Sequence, residues 1–186
     1  MFFYGQVNSV CWCKKWLTNT FTQTCALRLS RRSTSTHSTS ATGYNMLTDH
    51  EKELIAKIWD KMIPVASDIG AECLLRMMTT FPGTKTYFAH LDIRPRSTHL
   101  RSHGKKIVLA IAECSKDISS MMVTLAPLQT LHAYKLRIDP CNFKLLCHCI
   151  LVTLAAHMGD EFDPVAHAAM DKYLSAFAAV LAEKYR

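Results

Sequence analysis

The stretch Leu128-Gln129-Thr130-Leu131-His132-Ala133-Tyr134-Lys135-Leu136 carries the strongest structural signal in this 186-residue chain. Leu128, Leu131, His132 and Leu136 fall on one stripe of a helix, which would bury the histidine among leucines. A histidine in that setting is usually a hydrogen-bonded core or boundary residue. A neutral imidazole can also bind an iron on one face of a flat cofactor and leave the opposite face open. The stretch by itself leaves both interpretations open.

A second histidine, His103, lies 29 residues earlier in a similar setting. His103, Ile107 and Ile111 recur at helical spacing, so an imidazole and two β-branched side chains share one helix face. Two imidazoles on separate helices, each backed by apolar surface, could hold a flat apolar cofactor between them. Haem is the obvious candidate.

The segments around the two histidines follow one another in a recognisable order. Lys85-Thr86-Tyr87-Phe88-Ala89-His90 precedes His103, and Leu136-Arg137-Ile138-Asp139-Pro140-Cys141-Asn142-Phe143-Lys144-Leu145-Leu146 follows His132 directly. Together with Leu151-Val152-Thr153-Leu154-Ala155-Ala156-His157 and the final Lys184-Tyr185-Arg186, they resemble an alpha-type globin chain of vertebrate haemoglobin. The resemblance runs from Met46 to Arg186 without a gap. Leu47-Thr48, His132-Ala133-Tyr134 and residues 180–186 most resemble the alpha-D, minor adult or embryonic, type.

The resemblance implies a haem b cofactor and assigns roles around it. His132 matches the proximal iron ligand, and His103 matches the distal histidine that donates a hydrogen bond to bound dioxygen. Ile107 stands beside the ligand where the family usually has valine, so an extra methyl group lies over the iron. The other positions that match haem-contacting residues are Phe88, His90, Lys106, Leu128, Leu131, Leu136, Ile138, Asn142, Phe143, Leu146 and Leu181.

The function implied by the resemblance is reversible binding and transport of dioxygen, with carbon monoxide as a second ligand. The implied assembly is a cooperative α2β2 tetramer with beta-type globin chains. Positions that match the contact sliding between quaternary states are Tyr87, Arg137, Asp139 and Asn142. Positions that match the fixed contact are Arg76, His148, Phe162, His167 and Asp171.

Three further positions bear on cooperativity. Tyr185 and Arg186 match terminal contacts that are made in the low-affinity state and released in the high-affinity one. Gly83 stands where the family usually has a hydroxyl. We expect this departure to weaken one switch contact.

Two other functions fit parts of the sequence. In a bis-histidyl globin, used in redox sensing or electron transfer, His103 would itself take the sixth position of the iron. A haem-free helical interaction protein would not need His132, His103 and Phe88 together, which argues against it. An enzyme is not expected, because no nucleophile motif or pair of acids occurs in a shared context.

Charge is concentrated near one end of the chain. The net charge is +7, and residues 1–45 carry five Lys or Arg and no Asp or Glu. That leaves 17 basic against 15 acidic residues in the remainder. The basic character therefore belongs mostly to the N-terminal segment, and it does not indicate that the remainder binds nucleic acid.

Cysteine usage and hydropathy indicate the compartment. The eight cysteines form no zinc-ligand array, and we expect reduced thiols. No apolar run approaches 18 residues, so no membrane span is expected. The sequence favours a soluble cytosolic protein, and the resemblance implies the erythrocyte cytosol.

Residues 1–45 are expected to be a disordered extension. They are basic and end in a hydroxyl-rich stretch, residues 33–42, that cannot bury apolar surface. Because the resemblance begins at Met46, we expect the mature chain to begin near there. A transit peptide and a retained flexible tail are the alternatives. Residues 46–186 are long enough for one core and form the predicted globin domain.

Helix start signals are legible from Thr48 onward. Thr48 and Glu51 form a capping box. Asp139-Pro140 and Asp163-Pro164 each predict an N-cap followed by proline at the first helical position. No alternating strand pattern of any length occurs. The predicted fold is all-α, a globin fold of about seven to eight helices packed around a haem pocket.

Overall fold

The first helix begins at the predicted capping box. The computed structural model describes residues 47–185, so the expected extension at 1–45, Met46 and Arg186 lie outside the described residues. The Thr48 hydroxyl accepts from the Glu51 amide at 3.2 Å, and the Glu51 carboxylate accepts from the Thr48 amide at 2.8 Å. These two bonds satisfy amides that have no partner within the helix, and α1 starts at Asp49.

Residues 47–185 are mostly helical and contain no strand. Helix α1 (Asp49–Met62) leads through the 3-10 turn Ile63–Val65 to α2 (Ala66–Thr80). The 3-10 segment Pro82–Phe88 and a loop lead to α3 (Thr98–Lys116), and the turn Ile118–Ser120 leads to α4 (Met121–Thr130). A π-helical turn (Leu131–Leu136), α5 (Cys141–Met158), the turn Gly159–Glu161, α6 (Pro164–Leu181) and the turn Glu183–Tyr185 follow.

The all-α prediction is confirmed for the described residues. Six of their helical elements are α-helices, and the element that delivers Phe88 is a 3-10 segment of seven residues. The expected total of seven to eight helices is therefore reached only when such short elements are included. Pro82 is the first residue of this segment. A proline is tolerated there because the amide that it lacks would have no partner within the helix.

Side chains cap two later helices. The Ser97 hydroxyl accepts from the Leu100 amide at 3.2 Å at the start of α3. The Asp163 carboxylate accepts from the Ala166 amide at 2.7 Å, with Pro164 as the first residue of α6. The cap predicted at Asp163-Pro164 is confirmed.

The start of α5 differs by one residue from the prediction. Pro140 is the N-cap and the helix begins at Cys141, although the Asp139 carboxylate still accepts from the Cys141 amide at 3.0 Å. The reason is a tight first turn. The amides of Asn142 and Phe143 donate to carbonyls three residues back, those of Asp139 and Pro140.

Helix α5 is more apolar than the sequence interpretation allowed. Cys141–Glu161 is long enough to cross a membrane and has a mean hydropathy of 1.4, so the expectation that no run approaches that length was wrong. Cysteine and alanine raise the mean hydropathy without forming an obvious aliphatic run. Length and composition do not separate a membrane helix from a core helix. Here α5 supplies Phe143, Ile150 and Leu154 to the core.

Two clusters of buried apolar side chains form the core. Core 1 draws on all six α-helices and includes Trp59, Met121 and Tyr173. Core 2 joins α2 to α3 and α5 and consists of Ala71, Leu74, Met77, Met78, Leu100 and Cys149. Ile107 and Leu146 pack against both clusters. The boundary between the cores therefore runs past α3 and α5.

Candidate functional site

A backbone contact determines the tautomer of His132. Its Nδ1 atom lies 2.7 Å from the Leu128 carbonyl oxygen. Because a carbonyl can only accept, Nδ1 carries a proton, and in the neutral imidazole Nε2 is the nitrogen with the lone pair. This arrangement orients the ring and leaves one basic nitrogen that can bind a metal.

The π-helical turn Leu131–Leu136 presents this ring. The His132 carbonyl accepts from the amides of Arg137 and Ile138, the second at 3.2 Å. Arg137 ends the turn in a left-handed conformation with a φ of 50°. The imidazole meets the Phe143 ring edge-to-face, with ring centroids 5.5 Å apart. The wide turn and this aromatic contact together hold His132 in place.

His103 lies on α3 and is half-buried. Its ring is edge-to-face with Phe88, with centroids 5.7 Å apart. Burial lowers the pKa of His103 most, and the charges of Lys106, His132 and His90 lower it further. The imidazole is therefore neutral at neutral pH. The electrostatic effect also indicates that His132 and His90 each lie close enough to His103 to influence its charge.

Apolar side chains that are not fully buried border this region. Those packed against one core or both are Phe88, Ile107, Leu128, Ile138 and Leu146. Leu131 and Leu136 remain 36% and 47% exposed. Apolar surface left in water costs roughly 25 cal/mol per Å². A flat apolar molecule seated here would cover it.

The other predicted contact residues divide between core and surface. Phe143 and Leu181 are buried in core 1, and His90 and Lys106 are exposed. The Asn142 amide donates to the Asp139 carbonyl at 2.9 Å. An exposed lysine and histidine suit the carboxylate edge of a porphyrin. The individual contacts of these residues with a cofactor stay predictions.

The donor set fits haem better than a bare ion. Residues 47–185 contain no group of three or more His, Cys, Asp or Glu that could hold a metal ion. A single oriented imidazole needs a metal whose remaining ligands come from a cofactor. Haem iron held by one histidine is such a metal, and the half-buried apolar border suits a porphyrin.

Comparison with known proteins identifies the family. A family model described as Globin matches residues 71–181, which is more than half of the chain. The chain belongs to the globin family. It is 53% identical to haemoglobin subunit alpha-D of Coturnix japonica over 141 residues, 51% to that of Meleagris gallopavo and 50% to that of Chelonoidis carbonarius. Each match covers 76% of this chain and 100% of the relative.

These matches confirm two predictions for this globin. One is the globin fold, and the other is the resemblance to alpha-D-type haemoglobin chains. The roles assigned to single site residues are not tested by the matches and stay predictions.

The predicted sliding-contact residues of this globin lie together. The Tyr87 hydroxyl accepts from the Asp139 amide at 3.3 Å. Burial raises the pKa of Tyr185, and Tyr87 and Asp139 raise it further, which places all three near one another. The ring of Tyr185 also contacts that of Phe143 edge-to-face, with ring centroids 6.1 Å apart. Through Phe143 this C-terminal tyrosine is linked to the ring of His132.

Four of the predicted fixed-contact residues of the globin are linked by electrostatic or ring interactions. Burial lowers the pKa of His148, Asp171 opposes this, and His167 adds to it. His167 also meets the buried Phe162 edge-to-face, with ring centroids 5.6 Å apart. Arg76 lies on α2. Its guanidinium donates to Glu72 through Nε at 2.9 Å.

A surface cavity of about 400 Å³ lies beside Arg76, and neither His103 nor His132 lines it. It is lined by Glu72, Leu75, Arg76, Thr79 and Thr80. Glu72 accepts from His157 Nε2 at 2.7 Å on its second oxygen, which ties α2 to α5 here. Of the residues that line the cavity, Arg76 is a predicted partner contact, and none is a predicted haem contact.

Sequence reasoning missed several residues that organise this globin. Gly70 and Gly104 are in backbone contact, and Tyr173 and Gln129 make buried hydrogen bonds between helices. A polar residue within an apolar stripe is the one available sequence signal for Tyr173 and Gln129. The partner of each is a backbone group far away in the chain, which no local pattern reveals.

Proposed function

We propose that this globin binds dioxygen reversibly and transports it as a haem-containing alpha-type haemoglobin subunit. The observation that carries the proposal is the tautomer of His132, whose Nδ1 proton is committed to the Leu128 carbonyl. One protein ligand on one side of a haem leaves the other side open to a gas. No enzymatic reaction is part of the proposal.

When bound, haem supplies a ferrous iron that can take up dioxygen or carbon monoxide at an open position. His132 would hold the haem through Nε2, and its bond to Leu128 maintains the orientation of the ring. His103 would supply a neutral imidazole whose N–H can donate to a bound gas. Phe88, edge-to-face with His103, and Ile107 would keep the surroundings of His103 apolar.

A bis-histidyl globin in redox sensing or electron transfer is the second candidate. The lowered pKa of His103 favours it, because a neutral imidazole is also an iron ligand. In that case His103 would bind the iron and no position would stay open. The edge-to-face contact with Phe88 holds the ring of His103 and favours the donor role instead.

The proposed assembly is a cooperative α2β2 tetramer with beta-type globin chains in the erythrocyte cytosol. Support comes from relatives that are named as haemoglobin subunits and are matched over their whole length. Support also comes from the half-buried groups on α5 and α6 and from the cavity beside Arg76. Mixing the chain with a beta-type globin and measuring mass by sedimentation tests the assembly. A chain that stays alone contradicts it.

The experiment for the ligand function is an optical spectrum of the purified chain under air, argon and carbon monoxide. A five-coordinate ferrous spectrum under argon that converts reversibly in both gases supports dioxygen carriage. A six-coordinate ferrous spectrum under argon supports the bis-histidyl candidate. A colourless chain that takes up no added haem contradicts both.

A further inference from the structure

Helix α6 makes one buried hydrogen bond to the helix that carries His103 and one to the helix that ends just before the turn carrying His132. The Tyr173 hydroxyl donates to the Ile111 carbonyl of α3 at 2.5 Å. The Gln129 side chain of α4 donates through Nε2 to the Val180 carbonyl of α6 at 2.7 Å. The first bond reaches the helix of His103, and the second leaves the helix that ends just before His132.

The Tyr173 bond reaches the distal stripe itself. Tyr173 has no solvent exposure, and burial raises the pKa of its phenol strongly, so the hydroxyl stays a donor at any physiological pH. Ile111 lies one turn beyond Ile107 and two turns beyond His103 on the same face of α3. The hydrogen bond to the Ile111 carbonyl therefore restrains the backbone of α3, and with it the positions of Ile107 and His103.

The Gln129 bond acts in the same way on the proximal side. Gln129 is 4% exposed, and a buried amide without a partner is costly, so its bond to Val180 favours one register of α4 on α6. Gln129 follows Leu128, whose carbonyl accepts the Nδ1 proton of His132. A shift of α4 along α6 would thus move the acceptor that orients the imidazole.

We propose that Tyr173 and Gln129 are positioning residues, and that α6 is a common frame on which they separately set the distal and the proximal side of the haem site. The proposal rests on the proposed function, because it needs a haem between His103 and His132. The proposal states that the two residues act on the two sides of the haem site independently. Loss of the Tyr173 hydroxyl alters the distal side alone, and loss of the Gln129 amide alters the proximal side alone.

The test uses haem-loaded protein and two vibrational bands. The carbon–oxygen stretching band of the carbon monoxide complex responds to the distance and polarity of His103. The iron–histidine stretching band of the deoxygenated ferrous form responds to the orientation of His132. Tyr173→Phe removes one hydroxyl and keeps the ring, and Gln129→Met removes the amide at similar volume.

A matched control is available in Thr153→Val. The Thr153 hydroxyl is fully buried and donates to the Cys149 carbonyl at 2.8 Å, within α5 and without crossing to α6. This variant also loses a buried hydroxyl bond to a carbonyl. It should shift neither band, whatever its effect on the free energy of unfolding.

The expected result is a crossed pattern. Tyr173→Phe shifts the carbon–oxygen band beyond the Thr153→Val control and leaves the iron–histidine band unchanged, and Gln129→Met does the reverse. Unshifted bands, or both bands shifted in each variant, overturn the proposal. If Tyr173→Phe or Gln129→Met does not fold, Tyr173→Leu or Gln129→Leu replaces it. Loss of haem from both variants at one position also overturns the proposal. A wild-type chain that binds no haem defeats the proposed function instead.

Discussion

Gly70 of α2 and Gly104 of α3 are in direct backbone contact. A Cβ atom at Gly104 would lie 2.3 Å from the Gly70 carbonyl carbon, and one at Gly70 would lie 2.2 Å from the Gly104 carbonyl carbon. Only hydrogen atoms fit between backbones at this separation. Gly104 follows His103 directly, so the closeness of the crossing helps to determine where the distal imidazole stands.

Gly104→Ala should push α2 and α3 apart. We expect the free energy of unfolding to fall by about 1–3 kcal/mol, the usual cost of overpacking a close contact. Urea unfolding of the haem-loaded chain measures it. Gly83→Ala is the matched control, because nothing lies within 4 Å of a Cβ atom there. Equal stability of the two variants would contradict the tight crossing.

His132→Gly should abolish retention of haem. The change removes the one oriented imidazole nitrogen of the proximal side while leaving the apolar border intact. The ratio of haem to protein after gel filtration measures the loss. Added free imidazole should restore part of the pigment, since it can fill the vacated space. Full retention of haem and of gas exchange without it would contradict the proximal role.

His103→Leu should raise the dioxygen dissociation rate and speed oxidation of the iron. A hydrogen bond to a charged group is worth about 1.5–3 kcal/mol, so the rate should rise by about one to two orders of magnitude. Stopped-flow displacement of dioxygen by carbon monoxide measures the rate, and the visible spectrum follows oxidation. The distal assignment fails if both quantities are unchanged.

Ile107→Val should raise the affinity for dioxygen. The variant removes one methyl group from a half-buried side chain that packs against both cores and that the proposed function places beside the ligand. Relief of crowding by one methyl is worth up to about 1 kcal/mol, or about fivefold in affinity. Equilibrium oxygen binding of the isolated chain gives the value. Unchanged affinity would mean that the site already relaxes around Ile107.

Glu72→Gln should make stability less dependent on acid pH. Burial raises the pKa of this carboxyl, but hydrogen bonds from His157 and Arg76 outweigh this effect and hold the pKa below the usual value of a glutamate. A lowered pKa contributes stability above the unfolded value and loses it as pH falls through the folded value. The stability difference between wild type and variant should therefore be full near pH 5 and shrink as the solution is acidified from about pH 4.5.

Urea unfolding of the isolated chain at a series of acidic pH values measures this difference. Asp60→Asn is a suitable control, because Asp60 is exposed and no ion pair involves it within residues 47–185. If the difference in free energy of unfolding between wild type and Glu72→Gln stays constant down to the pH of acid unfolding, the stabilising hydrogen bonds from His157 and Arg76 to Glu72 are contradicted.

Local signals explain why much of the fold was predictable. The capping box at Thr48, the Asp163-Pro164 start and the helical stripes through His103 and His132 all involve residues within a few positions of one another. Periodicity and capping act over that range, so they are present in the sequence itself. The start of α5 was misplaced by one residue because Pro140 opens a tight first turn.

The amino-acid sequence by itself determined most of the helices and the family, and it singled out His103 and His132 as the predicted site residues. The tertiary structure decided where α2 and α3 touch at Gly70 and Gly104, and which backbone groups Tyr173 and Gln129 reach. Contacts of this second kind join residues far apart in the chain. They depend on how packed helices meet, and no pattern along one helix records that.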